Sequence, residues 1–329
     1  MKKKQLVFVP VPGVGHLVSA VQLAKTILER DDSFLITMLA ISNPFAGSMS
    51  KHTESLASMH PEIRFIEIPE AITAPPSEAL AVSPVSAFTS YVNDHKTLVR
   101  DTIVKLVMAD NPAPIASVVV DMFCTAFIDV ARELGVPSHV FFTSGAAFLS
   151  LVLYLSDRED RGEPKFRPTD PDYTIPCFSN PVPYRVLPLL HSDVEYEAFA
   201  NHGRKFKDSN GIIVNTFSEA ESHAGFLERT KNIGMLCGWA PQVEILAHKA
   251  VCVFVSHCGW NSILEALWYA VPVITWPLYG EQHMNAFQLV KELGLAVELT
   301  LDFRRDCPTD FVKAEEITKA VKSMMEQEG

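Results

Sequence analysis

The sequence is short of positive charge. Its 329 residues include 28 lysines and arginines against 39 aspartates and glutamates, so the formal net charge is −11. The only basic cluster is Lys2–Lys4. Because nucleic acids and anionic membranes are bound through basic surfaces, neither is an expected partner. A phosphate group would have to be recognised by a local site and not by the overall field of the protein.

The sequence also lacks the cysteine patterns of metal-binding and disulfide-rich proteins. None of the six cysteines forms a C-x-x-C pair, and no cysteine–histidine cluster has the spacing of a zinc site. Four of them lie in or beside apolar runs, namely Cys124, Cys237, Cys252 and Cys258. We therefore expect buried, reduced thiols in a cytoplasmic protein, and no structural metal.

No apolar run is long enough to span a membrane. The longest, Val140–Leu155, contains Thr143 and three other small or polar residues, and it falls short of the ~20 apolar residues that a bilayer requires. The opening of the chain imitates a signal peptide, but Pro10 and Pro12 interrupt its apolar part. The sequence thus predicts a cytoplasmic protein without a membrane span or a targeting segment.

Short apolar runs alternate with amphipathic ones in the first two thirds of the chain, which indicates strands and helices in turn. The predicted strands are Leu6–Val11, Phe34–Ala40, Ile63–Ile68, Ile115–Val120, Ser138–Phe142 and Gly211–Asn215. The predicted helices are Leu17–Arg30, roughly Pro84–Ala109, Cys124–Leu134, Ala146–Leu155 and Ser192–Lys207. This repetition is typical of a parallel, doubly wound α/β sheet. The proline-rich stretch Gly162–Pro188 is predicted to be a long loop.

The same alternation restarts near residue 234. The predicted strands there are Gly234–Cys237, Val251–Ser256, Val271–Trp276 and Leu295–Leu299. The predicted helices are Val243–His248, Asn261–Tyr269, His283–Glu292 and Ala314–Glu326. We therefore divide the chain into an N-terminal domain, residues 1–217, and a C-terminal domain, residues 218–329. The second is shorter than the ~150 residues usual for a doubly wound domain, so we expect it to be incomplete.

The densest set of candidate binding residues lies between Trp239 and Gln282. The motif SHCGWNS ends one predicted strand and leads into a helix. Ligands of open α/β sheets bind beyond the carboxyl ends of strands, and helix N-termini attract phosphates. Gly259 permits a close approach of the backbone to an anion. The hydrogen-bonding side chains at this point are His257, Asn261 and Ser262.

Two interpretations of this motif remain open on the residues alone. Glu265 lies one helical turn after Asn261, where a carboxylate can bind a ribose diol, and Trp239 offers a flat surface for a base. Alternatively, Ser262-x-x-Glu265 is a capping box that satisfies the helix start without a ligand. The tryptophans of the helix would then be core residues, namely Trp260 and Trp268.

Residues 239–282 resemble the signature box of plant family 1 UDP-glycosyltransferases. That pattern contains W-x-P-Q, H-C-G-W-N-S-x-x-E, V-P and an acidic residue followed by Gln. It is matched here by Trp239, Pro241, Gln242, His257 to Ser262, Glu265, Val271, Pro272, Glu281 and Gln282. The segments VPVPGVGHLVSAVQLAK, SVVVDMFCTAFIDVARELGVP and GIIVNTFSEAE are also similar to the family. The resemblance implies the GT-B fold, in which two Rossmann-like domains occur in one chain.

The resemblance further implies a UDP-sugar as co-substrate, with no metal and no other cofactor. Trp239 would stack on the uracil, while Gln242 and Glu265 would lie at the ribose. The diphosphate would be held by His257, Asn261 and Ser262. The sugar would be contacted by Trp260, Glu281 and Gln282. The full set of implied donor-site residues is Trp239, Ala240, Gln242, His257, Gly259, Trp260, Asn261, Ser262, Glu265, Glu281 and Gln282.

Two residues of the first domain are candidate catalytic groups. Taken alone, His16 is a helix cap or a surface residue, and Asp121 suits a helix N-cap. The resemblance implies instead that His16 is the catalytic base and that Asp121 orients the imidazole and stabilises its charged form. Both follow strands of one predicted parallel sheet, so the two side chains can meet.

The reaction that the resemblance implies is a direct displacement with inversion. UDP would leave an α-linked donor, and a β-glucoside would form. The expected sugar is glucose, and the expected acceptor is a small hydroxylated flavonoid, phenolic or terpenoid. The acceptor pocket is predicted to include Phe123, Phe142 and parts of the proline-rich loop.

The chain also departs from the family pattern. Family members have several more strands and helices where Ala224 is joined to Gly225, and the chain stops at Gly329, before the family's terminal helix. Glycines of the family are replaced by Cys252, Val253 and Ala270. An alternative is therefore a catalytically impaired, truncated relative that binds acceptor, UDP or a protein partner. A nicotinamide oxidoreductase is disfavoured because VPGVGHL lacks the G-x-G-x-x-G fingerprint.

Overall fold

The computed structural model describes residues 3–42, 49–69, 83–109, 112–176, 178–188, 192–215, 242–251, 253–303 and 312–325. These residues form two compact units. The first consists of the described residues up to Thr143 together with Val152–Lys165 and 192–215. The second consists of Ser144–Leu151, the described residues of 166–188, and those from Gln242 onward.

The first unit is built on a six-stranded parallel sheet. Its strands are β1 (Lys4–Val9), β2 (Phe34–Ile41), β3 (Ile63–Ile68), β4 (Ile115–Asp121), β5 (Ser138–Phe142) and β6 (Gly211–Val214). The strand order is β3-β2-β1-β4-β5-β6, and every neighbouring pair is parallel. This is the order of a doubly wound sheet, so the predicted fold class is confirmed for this unit.

Helices connect these strands. They are α1 (Val14–Arg30), α2 (Met49–Met59), α3 (Pro84–Asp94), α4 (Lys96–Val107), α5 (Ala126–Glu133), α6 (Ala146–Asp160) and α7 (Asp193–Lys207). The central strands have both faces buried, which is why they are continuous apolar runs. In β1, Val7 and Phe8 point to opposite faces, and neither is more than 1% exposed. Burial of such a side chain contributes about 1.5–3 kcal/mol to stability.

The structure corrects the predicted long helix over residues 84–109. This segment consists of two helices, α3 and α4, which meet at His95. The amide of His95 donates to the Val92 carbonyl, three residues before it, at 3.1 Å. The buried imidazole of His95 hydrogen-bonds the end of α3, because its Nδ1 donates to the Tyr91 carbonyl at 2.8 Å. Helix α2 was not predicted, since its sequence MSKHTESLASM has no regular apolar stripe.

Helices α6 and α7 approach closely at Gly203. A Cβ atom there would lie 2.5 Å from the Val152 carbonyl oxygen and 2.9 Å from Ser156 Cβ. The first of these atoms belongs to the backbone, so a helix would have to move to make room. Close packing at this position therefore requires glycine in the middle of a helix, despite its low helix propensity.

We expect Gly203→Ala to lower the free energy of unfolding by about 2 kcal/mol. The overpacking outweighs the gain of about 1 kcal/mol that alanine brings through helix propensity. Urea unfolding measures the change. Asn201→Ala, on the exposed side of the same helix, is the control and should stay within about 0.5 kcal/mol of the original chain. Equal urea midpoints for Gly203→Ala and the original chain would contradict the prediction.

The second unit contains a three-stranded parallel sheet. Its strands are β7 (Phe254–Ser256), β8 (Val273–Thr275) and β9 (Ala296–Glu298), in the order β7-β8-β9. Its further helices are α8 (Gln242–Leu246), α9 (Trp260–Trp268), α10 (Gln282–Phe287) and α11 (Ala314–Met325). The predicted strand Gly234–Cys237 lies outside the described residues. The boundary between residues 217 and 218 does so too, and that division of domains stays a prediction.

The proline-rich segment is a loop, as predicted. Its described residues contain an isolated antiparallel bridge between Tyr173 and Val182 and a short 3-10 turn at Tyr184–Val186. The Glu292 carboxylate accepts hydrogen bonds from the Ser179 and Asn180 amides at 2.9 and 3.0 Å. These amides lower the pKa of Glu292, although partial burial opposes the shift. The ionised carboxylate thus fixes one end of the loop within the second unit.

Candidate active site

His16 and Asp121 lie at the carboxyl ends of neighbouring strands. β1 ends at Val9, and α1 begins at Val14, so His16 is in the first turn of the helix that follows. Asp121 is the last residue of β4, which pairs with β1. Because the carboxyl ends of parallel strands share one edge of the sheet, the topology brings the two residues together.

The two side chains form a hydrogen-bonded pair. His16 Nδ1 lies 2.8 Å from Asp121 Oδ2. The other carboxylate oxygen of Asp121 accepts from the Phe123 amide at 3.1 Å, so both oxygens are held. Asp121 is 2% exposed, whereas the His16 side chain is 30% exposed. An ionised carboxylate only accepts hydrogen bonds, which places the imidazole proton on Nδ1 and the lone pair on Nε2.

The alternative role of Asp121 as a helix N-cap is wrong. The N-cap of α5 is Thr125, four residues later, and it makes no side-chain hydrogen bond to the helix. Asp121 instead closes a local turn through the Phe123 amide. Its carboxylate is therefore committed to this turn and to His16.

Sequence analysis missed Thr143. Its hydroxyl oxygen lies 2.9 Å from His16 Nδ1, on the atom that also faces Asp121. Thr143 directly follows β5, the strand next to β4, so it occupies the same edge of the sheet. The rule that polar residues after parallel strands converge could have found it.

The predicted acceptor residues have different surroundings. Phe123 is half-buried, and its ring centroid lies 6.0 Å from that of His16. Phe142 has no exposed surface and packs edge-to-face on Phe206 at 5.8 Å. Phe142 therefore belongs to the core of the first unit, contrary to the expectation that it lines a pocket.

In the second unit, three predicted donor-site side chains converge at the start of α9. Gln242 Nε2 donates to Ser262 Oγ at 3.0 Å and to Glu265 Oε2 at 2.7 Å. The helix begins at Trp260 with Gly259 as its N-cap, and the N-cap supplies no side-chain hydrogen bond. Ser262 is thus inside the first turn and not at the N-cap, so the capping-box interpretation is wrong. The Gln242 amide holds the Glu265 carboxylate in a fixed orientation.

Gly259 lies directly against the imidazole of His257. A Cβ atom at Gly259 would lie 2.5 Å from His257 Nε2. The imidazole therefore packs directly against the N-cap of α9. Burial lowers the pKa of His257 below its usual value, so the ring is neutral at pH 7. Asn261 and Glu281 are half-buried, and Glu281 is the N-cap residue of α10.

Trp260 and Gln282 are both buried. A Cβ atom on Gly145 would lie 2.8 Å from the nearest atom of the Trp260 ring, so this glycine makes room for the indole. The amide oxygen of Gln282 accepts from the Leu278 and Tyr279 backbone amides at 3.0 and 3.1 Å. A ligand contact from Gln282 must therefore come from its Nε2. Trp268 is 80% exposed, which excludes a core role for it. Trp239 and Ala240 lie outside the described residues.

Two non-glycine residues beside α9 have left-handed backbones. Cys258 has φ 63°, and its carbonyl accepts from Asn285 Nδ2 at 3.0 Å. Ala270, just after the helix, has φ 53°. The amide of Val271 reaches back to the Ala266 carbonyl at 2.8 Å, which is the hydrogen bond of a Schellman motif. Glycine is the usual residue at the Ala270 position of this motif.

We expect Ala270→Gly to raise the free energy of unfolding by about 1 kcal/mol, because it removes the steric cost of a left-handed alanine. Urea unfolding monitored by tryptophan fluorescence measures the gain. The reverse change at a matched site is Gly294→Ala, where φ is 64° and, within the part of the chain that the structure describes, no atom lies within 4 Å of the added Cβ. This variant should lower the free energy of unfolding by a similar amount. Destabilisation by Ala270→Gly would refute the assignment of strain.

Two properties of the described residues concern metals and membranes. Among these residues, no three histidine, cysteine or acidic side chains are grouped so that they could hold a metal ion. Within the same ranges, no helix combines the length and the apolar composition needed to cross a bilayer.

Known proteins resemble the chain in sequence. The family model described as UDP-glucoronosyl and UDP-glucosyl transferase matches residues 209–328. UDP-glycosyltransferase 71K2 of Pyrus communis is 34% identical, with 100% of this chain and 91% of that protein covered. UDP-glucose flavonoid 3-O-glucosyltransferase 6 of Fragaria ananassa is 33% identical, with 99% and 92% covered.

Solved structures are also similar to this chain. UGT71G1 of Medicago truncatula, complexed with UDP-glucose, has a TM-score of 0.84 at 32% identity, with 100% of this chain and 91% of that chain covered. A UGT transferase from Siraitia grosvenorii, in complex with UDP, has a TM-score of 0.80 at 30% identity, with 99% and 92% covered.

The alignment with a relative also contains positions at which this chain has no residue. With the Pyrus communis protein it runs over 440 positions, whereas this chain has 329 residues, so at least 111 positions (440 less 329) have no residue here. This agrees with the expected deletion. The chain belongs to the UDP-glycosyltransferase family and has the GT-B fold of that family.

Proposed function

We propose that this chain transfers glucose from UDP-glucose to a hydroxyl group of a small, mostly apolar acceptor, with inversion and without a metal. The observation that carries the proposal is the His16–Asp121 pair, with 2.8 Å between Nδ1 and Oδ2. The relatives supply the donor and acceptor classes. UGT71G1 was solved with UDP-glucose, and a Fragaria ananassa relative is named a flavonoid 3-O-glucosyltransferase. Flavonoids, phenolics and terpenoids are the acceptors to test.

In this mechanism His16 Nε2 takes the proton of the acceptor hydroxyl. The hydroxyl oxygen forms a bond to the anomeric carbon while the bond from that carbon to the UDP oxygen breaks. Attack from the face opposite UDP converts an α-linked donor into a β-glucoside. Asp121 keeps the proton of the neutral imidazole on Nδ1 and stabilises the imidazolium that forms.

The donor would be bound in the second unit. Glu265, held by Gln242, would bind the ribose hydroxyls. Trp239 and Ala240 would contact the uracil. The diphosphate would lie at the N-terminus of α9, where the helix dipole and the backbone amides favour negative charge, beside His257, Gly259, Asn261 and Ser262. The sugar would contact Trp260, Glu281 and Gln282. We accordingly assign acceptor binding to residues 1–217 and donor binding to residues 218–329.

The test is incubation with UDP-glucose and a panel of hydroxylated aromatics and terpenoids, followed by mass spectrometry and NMR of the products. A β-linked glucoside supports the proposal, and an α-linked one contradicts inversion. Donor binding is tested separately by thermal unfolding with UDP, since ligand at 100 times its Kd stabilises by about 2.7 kcal/mol. Glu265→Ala should abolish this shift. Glu244→Ala, which removes an exposed glutamate from neighbouring helix α8, should retain it.

A second candidate follows from the alignment positions that have no residue here. The chain would then be a catalytically impaired relative that binds UDP, acceptor or a protein partner. A UDP-dependent rise in unfolding temperature without any glucoside would favour this candidate over the first.

A further inference from the structure

A second histidine of the first unit is buried beside the candidate active site. His202 of α7 is 3% exposed. Its Nδ1 lies 3.0 Å from Thr125 Oγ1 and its Nε2 lies 2.9 Å from Thr89 Oγ1. Thr89 belongs to α3, and Thr125 is the N-cap residue of α5, so the ring ties three helices together.

The hydrogen bonds fix the tautomer of this ring. The Thr89 hydroxyl donates to the Val85 carbonyl at 2.7 Å, so its oxygen must accept the proton of His202 Nε2. Burial lowers the pKa of His202 to about 4, against the opposing effect of the nearby Asp121 charge. The ring is therefore neutral at pH 7, and Nδ1 accepts from the Thr125 hydroxyl. Thr125 makes no capping bond with its hydroxyl, which leaves the group for His202.

Phe123 lies between His202 and His16. Its ring meets His202 edge-to-face, with 5.5 Å between centroids and an interplanar angle of 76°. Its centroid is 6.0 Å from that of His16. Its amide is held by Asp121, as described above. Phe123 is thus fixed at the backbone by the carboxylate that holds His16 and at the ring by an imidazole that cannot rotate without breaking two hydrogen bonds.

We propose that His202 is a positioning residue for acceptor binding: it holds the Phe123 ring beside His16, and this ring forms the surface on which an aromatic acceptor packs. The proposal rests on the function proposed above. An aromatic acceptor and Phe123 would interact edge-to-face or offset-stacked, a geometry that tolerates little rotation of the ring. Rotation of Phe123 would therefore move the acceptor hydroxyl relative to His16 Nε2.

The first test does not require turnover. The Cε1 proton of His16 experiences the ring current of Phe123, and its NMR signal is assigned by its loss in His16→Gln. We expect Phe123→Leu and His202→Gln both to move this signal in the same direction. His95→Gln removes another fully buried histidine and is the matched control, in which the signal should stay in place. A His16 signal that stays in place in His202→Gln overturns the proposal.

The second test is kinetic. We expect His202→Gln to raise the acceptor KM about tenfold, because a Phe123 ring that is no longer held in place packs less well against an aromatic acceptor, while the UDP Kd is unchanged. In a Phe123→Leu background, the same substitution should change the acceptor KM less than twofold. An equal increase in both backgrounds overturns the proposal, because His202 would then act without Phe123.

The two proposals fail in distinguishable ways. If the unmodified chain glucosylates no acceptor, the proposed function fails, and the His16 signal still decides whether His202 positions Phe123. If the chain is active and the acceptor KM is the same in His202→Gln, only the positioning role fails. The free energy of unfolding is measured for every variant. If His202 is purely structural, its replacement lowers this free energy without changing the acceptor KM or the His16 signal.

Discussion

Replacement of His16 by alanine is expected to lower kcat by about 10³-fold, while the UDP Kd stays the same. His16 Nε2 is the only atom that we assign to accept the acceptor proton, and no ligand contact of UDP is assigned to this residue. The loss should therefore fall on the chemical step. Initial rates at saturating UDP-glucose, together with UDP binding by calorimetry, separate the two effects.

Asp121→Asn should show a loss of similar size, about 10³-fold. The asparagine side chain has the shape of the carboxylate, but in one of its two orientations its NH2 group faces His16 Nδ1. The amide also carries no charge that could stabilise an imidazolium. Thr143→Val removes a weaker partner of the same nitrogen, so its loss should be less than tenfold. This order of effects, His16 and Asp121 far above Thr143, is specific to a base oriented by a carboxylate.

The control for both variants is another histidine–carboxylate pair. His60 Nδ1 lies 3.2 Å from Glu62 Oε1, between α2 and β3, where no role in the reaction is assigned. His60→Ala should leave kcat unchanged. A His16→Ala variant that retains more than a tenth of the original kcat would refute the assignment of the base.

The His16–Asp121 pair shows how far sequence reasoning reaches. The β-α repetition predicted a parallel sheet, and such a sheet gathers residues that follow its strands. The strand order β1-β4, which the sequence does not reveal, decides which of those residues touch. Only the resemblance to a family singled out these two side chains in advance. Thr143 follows β5 by the same rule, but nothing in its local sequence distinguishes it from a structural threonine.

Other expectations failed because a side-chain contact in the folded chain overrode a local sequence pattern. Ser262-x-x-Glu265 satisfies the capping-box pattern, yet both side chains are engaged by Gln242, 20 residues before Ser262. The long helix over residues 84–109 has a continuous helical pattern, yet it breaks at His95. His202 was not singled out at all, because its two threonine partners come from helices far away in the sequence.

The stability of the chain is expected to fall in acid because of His202. An unfolded histidine has a pKa near 6.5, whereas burial lowers the pKa of His202 to about 4 in the folded chain. Between these two values the unfolded chain binds more protons, so the free energy of unfolding rises with pH. The stability that this residue contributes is fully present above pH 6.5 and is lost as the pH falls towards 4. Below pH 4 it changes little further. Its total size is about 3 kcal/mol, at 1.36 kcal/mol per unit.

The difference between two proteins isolates this contribution. In His202→Gln the titrating group is absent, while every other acidic or basic side chain is retained. Urea unfolding from pH 7 to pH 4 should show the original chain losing about 3 kcal/mol more than the variant, with the difference growing only below pH 6.5. At pH 7 the variant should be the less stable of the two, because glutamine does not reproduce both threonine hydrogen bonds. The curves should therefore converge in acid, and parallel curves would mean that the imidazole titrates in the folded chain much as it does when unfolded.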